Sequence, residues 1–286
     1  MSDFSCFRDG TIYYSFVCCE SLMPSEYETT GASNADFVLH VTARPTGGST
    51  IAWALTCQSD QNGRPVSGHA NFAPSRISTA PEDYDLQLST AVHEIAHALG
   101  FSSSKFSSFR KPGTTRQESY SNIIRNFNEL GKTGIKKIVT ANVVAKSKEH
   151  YGCDAWANAG AALEDFGGSG TAGSHWEKRD FDNEFMTGTA DPNSVYSAIS
   201  IALFQDSGWY GVSYQRAQTL FWGRGEGCSF VTQRCSDGWS DRYFCTVQDQ
   251  AGCTVDLRYQ ARCNLVRYPF DVDHQYFSDP TLGGSD

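Results

Sequence analysis

The residues with the clearest chemical potential are two histidines and a glutamate in the segment HEIAHALGFSSS, residues 93–104. His93 and His97 are four positions apart, so on an α-helix their imidazoles project from the same side and can bind one tetrahedral ion. Glu94 lies beside the first histidine and can take a proton from a metal-bound water without being a ligand. The pattern H-E-x-x-H therefore predicts a zinc site with hydrolytic chemistry.

The motif supplies only two of the three protein ligands that a catalytic zinc keeps. A longer zinc motif continues as H-x-x-G-x-x-H, but this chain has Ser103 three residues after Gly100, where that motif has its third histidine. The third ligand must come from elsewhere, either from another histidine or, as in a different class of zinc peptidase, from a glutamate on a later helix. Four glutamates that lie downstream are candidates, and none lies in a clearly amphipathic helix: Glu118, Glu129, Glu149 and Glu164.

Among the other five histidines, His175 is the strongest candidate. It follows a glycine-rich loop, GGSGTAGSH, which lets the backbone approach a site closely, and it precedes a short Met-containing turn, NEFMTG. The remaining four are expected to have structural or solvated roles. His40 should pack within a strand, His69 should lie on an edge strand where it could line a cleft, His150 should be solvated on a helix, and His274 should lie in a loop.

The helix that positions His93 and His97 is predicted to begin near Asp83 or Asp85 and to end at Gly100. Apolar residues recur in it at i, i+4, i+7 and i+11, which predicts that this stripe faces the core and that the histidines lie on a different side. The stripe consists of Leu88, Val92, Ile95 and Leu99.

Further elements are predicted on both sides of this helix. Alternating apolar residues predict strands at 35–44, 51–57 and 67–73, of which 67–73 is the weakest and is expected at a sheet edge. Downstream, helices are predicted at 142–152 and at 194–211, the second ending at Gly208, with a glycine-rich loop at 165–174.

Composition limits the class of protein. The chain has 286 residues, 40% hydrophobic and 19% charged, which is typical of a globular protein, and its net charge of -9 argues against a nucleic-acid partner. No apolar stretch is long enough for a transmembrane helix. Ten cysteines without a C-x-x-C pair favour disulfides formed in an oxidising compartment. The first residues do not resemble a signal peptide, so we expect either a longer precursor or reduced cysteines.

Several motifs in order resemble the leishmanolysin family of zinc endopeptidases, including its invadolysin branch, in the metzincin clan. They are HEIAHALGFS, TAGSHWEKRDFDNEFMTG, YSAISIALFQDSGWYGVSY and WGRGEGC, and the resemblance runs from about residue 18 to the end. In that family a large insertion separates the glycine of the helix motif from the third histidine. The resemblance implies that His93, His97 and His175 bind one Zn²⁺, that Glu94 is the general base, and that Met186 is the Met-turn methionine below the metal.

The same resemblance implies an α+β fold. A twisted mixed sheet would lie over the active-site helix and be followed by a mostly irregular, disulfide-rich C-terminal region. Three parts are expected: an N-terminal catalytic subdomain at 1–102, a central subdomain with the insertion, third ligand and Met-turn at 103–233, and the start of a Cys-rich domain at 234–286. The implied cysteine pairs are Cys153 with Cys228, Cys245 with Cys263, and Cys57 with Cys18 or Cys19, and the partner of Cys235 is expected in the Cys-rich part downstream of this chain.

The implied activity is hydrolysis of protein or peptide substrates that bind in extended form, with an edge strand such as 67–73 pairing with the substrate backbone. A monomer is expected, located outside the cell or at its surface, or in the cytoplasm if it is closer to the invadolysin branch. The resemblance also implies a signal peptide and pro-segment upstream and more of the Cys-rich part downstream. Two alternatives stay open: an adhesion module on the same fold that does not hydrolyse, and a zinc peptidase whose third ligand is a glutamate.

Overall fold

The computed structural model describes residues 32–284 apart from 169, 240, 241 and 273–276, together with two short strands near the start of the chain. His274, Cys18 and Cys19 lie outside the described residues. The strands are β1 (Phe7–Arg8), β2 (Thr11–Ile12), β3 (Val38–Thr42), β4 (Ala52–Ser59), β5 (Pro65–Phe72), β6 (Ile124–Glu129), β7 (Lys132–Ile138), β8 (Ala161–Ala162), β9 (Ala251–Cys253), β10 (Gln260–Arg262), β11 (Leu265–Arg267) and β12 (Leu282–Gly284).

The helices are concentrated between residues 84 and 232. They are α1 (Tyr84–Ala98), α2 (Ser103–Phe106), α3 (Tyr120–Ile123), α4 (Ala141–Tyr151), α5 (Lys178–Phe181), α6 (Ala198–Asp206) and α7 (Cys228–Thr232), with short 3₁₀ turns at Pro74–Arg76, Pro81–Asp83 and Tyr214–Arg216. The mixture of helices with small sheets confirms the α+β prediction, and the predicted helices at 142–152 and 194–211 correspond to α4 and α6.

The sheet beside α1 is mixed and three-stranded, in the order β3-β5-β4. β5 pairs in parallel with β3 and antiparallel with β4, so the prediction of an edge strand at 67–73 is wrong. The small residues that made this segment look weak serve close packing instead. A Cβ added at Gly68 would lie 2.8 Å from the Cβ of Ala98, so only glycine lets α1 approach the centre of the sheet this closely.

The predicted core-facing stripe of α1 is also wrong. Leu88 is 45% exposed and Ile95 is 38% exposed, while Val92 is partly buried against the main hydrophobic cluster. The buried side of the helix consists of Ser89, Thr90, Glu94, Ala96, His97 and Ala98. The helix therefore buries mainly small and polar residues, and of the apolar stripe Leu88 and Ile95 face away from the core.

The region after α1 contains structure that its polar composition did not predict. β6 and β7 form an antiparallel hairpin, and β8 pairs with the far edge of β7. α4 and α6 then pack together, and the carboxylate of Asp206 accepts hydrogen bonds from the backbone N–H groups of Asn142 and Val143 at 2.9 and 3.0 Å. Asp206 thereby satisfies two of the unpaired donors at the start of α4.

Two hydrophobic clusters hold the chain. The main one combines the end of α1, the segment around Met186, and α6, with Phe101, Trp176 and Met186 fully buried. The second is rich in aromatic residues and surrounds the disulfide Cys153–Cys228, joining Tyr151 to Phe230 and Phe244. This cluster draws side chains from both sides of the expected boundary at 233/234, and the three-part division stays a prediction.

The cysteines follow the expected pairs wherever both members are described. Cys153 pairs with Cys228, and Cys245 pairs with Cys263. The expected partners of Cys57 lie outside the described residues. Cys235 is buried and has no disulfide partner among the described residues.

Candidate metal centre

Three imidazoles that are far apart in sequence converge at one point. His93 and His97 come from α1, and His175 comes from the loop before α5. The Nε2 atoms of His93 and His97 are 3.0 Å apart, and the Nε2 atom of His175 lies 3.1 Å from each of them. No other histidine, cysteine or carboxylate among the described residues joins this group.

Each imidazole is fixed by a backbone carbonyl on its other nitrogen. The Nδ1 atom of His93 lies 2.6 Å from the oxygen of Phe185, that of His97 lies 2.6 Å from the oxygen of Phe101, and that of His175 lies 2.9 Å from the oxygen of Thr171. A carbonyl oxygen only accepts, so each Nδ1 carries the hydrogen and donates it. In a neutral imidazole the Nε2 atom is then left with a free lone pair.

Burial keeps these rings neutral. It lowers the pKa of His93 to about 4, with a further contribution from the nearby His175, and it lowers the pKa values of His97 and His175 as well. Three lone pairs therefore face one another without a hydrogen between them, which repels unless a cation lies among them. Atoms at this spacing can all reach one Zn²⁺ at the usual Zn–N distance of about 2.0–2.1 Å, so the donor set fits zinc.

The end of α1 is shaped so that the Phe101 carbonyl reaches His97. Gly100 has a φ of +116°, and a Cβ there would lie 2.9 Å from the Trp209 ring. This turn brings the Phe101 N–H to the Ala96 oxygen at 3.0 Å and the Phe101 carbonyl oxygen to within 2.6 Å of the His97 Nδ1 atom. Gly100 thus ends the helix and also positions the carbonyl that holds His97. A side chain at this position would be strained because of the positive φ and the nearby Trp209 ring.

Ser103, which occupies the position of the third histidine in the uninterrupted motif, lies close to the loop that carries His175. The backbone N–H of Ser103 donates to the Oγ of Ser174 at 3.1 Å, and the two hydroxyls are also 3.1 Å apart. The chain therefore returns to the neighbourhood of residue 103 one residue before His175. The insertion expected between the helix motif and the third histidine stays a prediction.

A tight turn containing Met186 lies against His93. The N–H of Thr187 donates to the oxygen of Glu184 at 3.0 Å, which closes the turn, and the N–H of Trp176 donates to the oxygen of Met186 at 2.9 Å. Met186 is fully buried in the main cluster. The carbonyl that accepts from His93 belongs to Phe185 in the same turn. The turn therefore holds the His93 imidazole, and through Met186 it also bonds to Trp176, the residue after His175.

Glu94 is buried beside the cluster. It is 5% exposed, and its Oε2 atom has no hydrogen-bond partner within the described part of the chain. Burial raises the pKa of Glu94 to about 8. A buried carboxyl group without a partner is costly for folding, which makes Glu94 a candidate functional residue.

The rival glutamates do not reach the three imidazoles. The side chain of Glu118 accepts from Ser119 and Asn122, Glu129 pairs with Lys137, and Glu149 pairs with Lys146. Glu164 belongs to a separate carboxylate group with Asp165 and Glu177. The structure therefore joins a histidine, and none of these glutamates, to His93 and His97.

Two of the other histidines differ from expectation. His69 lies on the central strand and is 2% exposed, with its Nε2 atom 2.8 Å from the Thr42 hydroxyl, so it does not line an edge cleft. His150 is partly buried and bonds through Nε2 to the Trp222 oxygen at 2.8 Å, so the expectation of a solvated residue is wrong. His40 lies beside His69 in the paired strand β3, as expected for a strand residue.

The sequence did not reveal the groups that hold the imidazoles. The carbonyls of Phe101, Thr171 and Phe185 have no signature because every residue carries one. Glu184 was also missed, although an acidic residue two positions before the methionine in NEFMTG, inside an otherwise apolar stretch, is a signal that could have drawn attention to it.

An H-E-x-x-H helix whose two histidines meet a third imidazole defines a class of site found in zinc-dependent peptidases. Comparison with known sequences agrees. The profile of the peptidase M8 family, leishmanolysin, matches residues 11–286. The chain belongs to the leishmanolysin family.

Individual relatives come from animals and from trypanosomatids. The chain is 40% identical over 290 residues to a leishmanolysin-like peptidase of Drosophila pseudoobscura pseudoobscura, which covers 86% of this chain and 42% of that protein. It is 35% identical over 275 residues to a leishmanolysin homolog of Crithidia fasciculata, covering 94% and 40%, and 34% identical over 277 residues to a leishmanolysin of Leishmania major, covering 94% and 43%. The chain thus spans less than half the length of these relatives.

No helix in the described region combines the length and the apolar character that crossing a bilayer requires.

Proposed function

We propose that this chain carries the active site of a zinc-dependent metalloendopeptidase that hydrolyses peptide bonds in protein substrates. The observation that carries the proposal is the convergence of the Nε2 lone pairs of His93, His97 and His175 within 3.1 Å of one another. One Zn²⁺ per chain is the cofactor that this donor set suits, because neutral imidazoles are good zinc ligands. The mixed sheet beside α1 corresponds, in this proposal, to the twisted sheet of the metzincin fold.

The residues have separate tasks in the proposed reaction. The three histidines hold the metal, and their carbonyl partners keep each Nε2 atom deprotonated and aimed at it. Bound zinc would polarise the scissile carbonyl and make a water molecule more acidic. Glu94 accepts the proton from that water as it attacks, and then returns the proton to the leaving amine. Met186 lies beneath the site as an apolar floor and binds nothing.

Glu94 suits the task of a general base. Burial raises the pKa of Glu94 to about 8 in the metal-free protein, and a bound dication nearby would lower it again, so that the carboxylate form can accept a proton near neutral pH. Its Oε2 atom, which has no partner among the described residues, is available to a water molecule. A general base works best when its pKa is near the operating pH. The alternative of a non-hydrolysing adhesion module gives no reason to keep a buried, unpartnered glutamate beside three imidazoles.

Substrates bind in extended form in this proposal, along the outer edge of β4. β5 pairs on both of its sides and cannot add a substrate strand. β4 lies directly against α1, since the hydroxyl of Thr56 donates to the Ala98 oxygen at 3.0 Å, and no other described strand pairs with its far edge. Peptides with N-methylated backbone amides are expected to bind more weakly than their parents in a competition assay. Equal binding would contradict strand addition.

The two disulfides support folding in an oxidising compartment, and we place the protein outside the cell or at its surface. The net charge of -9 argues against a nucleic-acid partner.

Metal removal tests the proposed function. Dialysis of the purified chain against a chelator is expected to abolish cleavage of an unstructured protein, and one equivalent of Zn²⁺ is expected to restore it. Ca²⁺ and Mg²⁺ are the control, because they prefer oxygen ligands and should not restore cleavage. Full cleavage by the metal-free protein would overturn the proposal. Zinc binding without any cleavage would favour the adhesion module.

A further inference from the structure

A single buried carboxylate outside the three-imidazole cluster is connected to two of its histidines. Glu184 is 1% exposed and receives hydrogen bonds on both oxygens. A carboxylate buried this completely must be compensated by donors, and its position in a fold is correspondingly well defined. Its partners lie on separate elements: the turn that contains Met186 and the start of α6.

The first connection runs to His93 through one peptide group. The N–H of Met186 donates to the Oε2 atom of Glu184 at 2.7 Å. The carbonyl of the same peptide, that of Phe185, accepts from the Nδ1 atom of His93 at 2.6 Å. The carboxylate therefore fixes the plane of the peptide that orients the imidazole, and it polarises that carbonyl toward the ring. Hydrogen bonds in such a chain strengthen one another.

The second connection runs to the residue beside His175. The hydroxyl of Ser200 donates to the Oε1 atom of Glu184 at 2.6 Å and accepts from the indole Nε1–H of Trp176 at 2.8 Å. The hydroxyl of Ser197 donates to the same carboxylate oxygen at 2.8 Å. The directions of these bonds are consistent, because each hydroxyl has one hydrogen and it goes to the carboxylate.

His97 is held by neither connection. Its Nδ1 atom bonds to the Phe101 carbonyl at the end of its own helix. The short-range geometry of α1 and Gly100 is enough to orient it. The other two imidazoles depend on segments from distant parts of the chain, and these are the segments that Glu184 joins.

We infer that Glu184 is a positioning residue for the metal centre, acting on His93 through the Phe185–Met186 peptide and on His175 through Ser200 and Trp176. Metal-bound histidines commonly donate their other N–H to a carboxylate or a carbonyl that fixes the ring. Here the carboxylate acts one peptide further away and serves two ligands together. The inference rests on the proposed function, because it assigns the three imidazoles to a metal.

Zinc affinity of the metal-free full chain, measured by chelator competition, is the decisive readout. We expect Glu184→Ala to weaken it by about 100-fold and Glu184→Gln by about 10-fold, within the usual range for groups that orient metal ligands. Glutamine keeps the shape and one acceptor oxygen, which can still accept from the Met186 N–H, but it lacks the charge and its NH2 group meets the serine hydroxyls as a donor. The absorption bands of Co²⁺ bound in place of Zn²⁺ should change in both variants, because they report ligand geometry.

Asp206→Asn is the matched control. Asp206 is also a buried carboxylate that accepts several hydrogen bonds, but its partners lie at the start of α4. The Asp206→Asn variant should have lower thermal stability, as the Glu184 variants should, while its zinc affinity and Co²⁺ spectrum stay as in the parent. Ser200→Ala cuts only the branch to Trp176 and should weaken zinc binding less than Glu184→Ala does, which keeps the test available if Glu184→Ala does not fold.

The outcomes separate the two proposals. If Glu184→Gln and Ser200→Ala lose stability but bind zinc as the parent does, the role of Glu184 is in folding alone and the inference is overturned, while the proposed function stands. If the parent binds zinc but cleaves nothing, the proposed function is overturned and the affinities still decide the inference. A parent that binds no zinc overturns both.

Discussion

Replacing Glu94 with glutamine is expected to lower kcat/KM for peptide cleavage by about 10²–10⁴-fold, the usual contribution of a general base. Glutamine fills the same buried volume but cannot take a proton from water. Zinc content should stay at one per chain, because no role as a ligand is proposed for Glu94. Cleavage of a quenched fluorescent peptide, with metal content measured on the same preparation, checks both parts.

The effect of this substitution on stability should have the opposite sign. Glu94 is buried, and its Oε2 atom has no partner among the described residues. Because burial raises the pKa of Glu94 to about 8, folding near neutral pH must either bury its charge or take up a proton, and glutamine requires neither. The metal-free Glu94→Gln protein should therefore unfold at a higher temperature than the metal-free parent. Loss of activity with a gain in stability is typical of residues retained for function.

Glu149→Gln is the control for the first prediction. Glu149 is exposed on α4 and pairs with Lys146, and it is not one of the groups that surround the three imidazoles. It should change neither cleavage nor stability appreciably, because an exposed ion pair contributes little. Cleavage at the parent rate by Glu94→Gln would show that another group moves the proton.

The local elements were largely predictable from sequence. The histidine spacing, the glycine after the helix and the alternating strands each have a short-range physical cause, and the structure has these elements in the predicted places. The third imidazole was suggested by the glycine-rich loop and by the resemblance to a family. Because 78 residues separate His175 from His97, no helical or strand period could have joined them.

What failed was the assignment of faces. The stripe with Leu88 and Ile95 is a real apolar period, but period alone does not say which side of a helix meets the sheet. The side of α1 that packs closely against the sheet carries alanines, and Ala98 lies against Gly68 of the sheet. Small residues in β5 likewise led to the wrong prediction that this central strand lies at the edge of the sheet. Close packing thus removes the large apolar residues on which sequence reasoning depends.

The supporting hydrogen bonds were beyond sequence for a different reason. The carbonyl of Phe185 matters only because a turn brings it to His93, and the carboxylate of Glu184 matters only because it holds that turn. Such roles belong to the position of the backbone rather than to the residue type. They become visible only when distant segments are placed together.

Replacing His175 with alanine is expected to weaken zinc binding by more than about 100-fold, because even residues that only orient ligands cost 10–100-fold when lost. Two histidines would remain, and a catalytic zinc site needs three protein ligands. Cleavage should fall with zinc occupancy. Both are measured by titrating zinc into the metal-free protein against a competing chelator while following peptide hydrolysis.

His150→Ala is the matched control for this variant. His150 is another partly buried imidazole bonded to a backbone carbonyl, and burial lowers its pKa to about 4. Removing it should also cost stability, through a cavity and a carbonyl without its donor, but it should leave zinc affinity unchanged. A difference in zinc affinity between His175→Ala and His150→Ala therefore reports the loss of a zinc ligand and not the loss of a buried ring.

His175→Cys extends the test, because a thiolate is also a zinc ligand but at a distance of about 2.3 Å. We expect it to recover part of the zinc affinity that alanine loses, with altered Co²⁺ absorption, since the donor lies at the same place in the loop. Unchanged zinc affinity in His175→Ala would exclude His175 as a ligand and favour a carboxylate as the third ligand. In that case the three facing lone pairs would require another explanation, since neutral imidazoles at this spacing repel one another unless a cation holds them together.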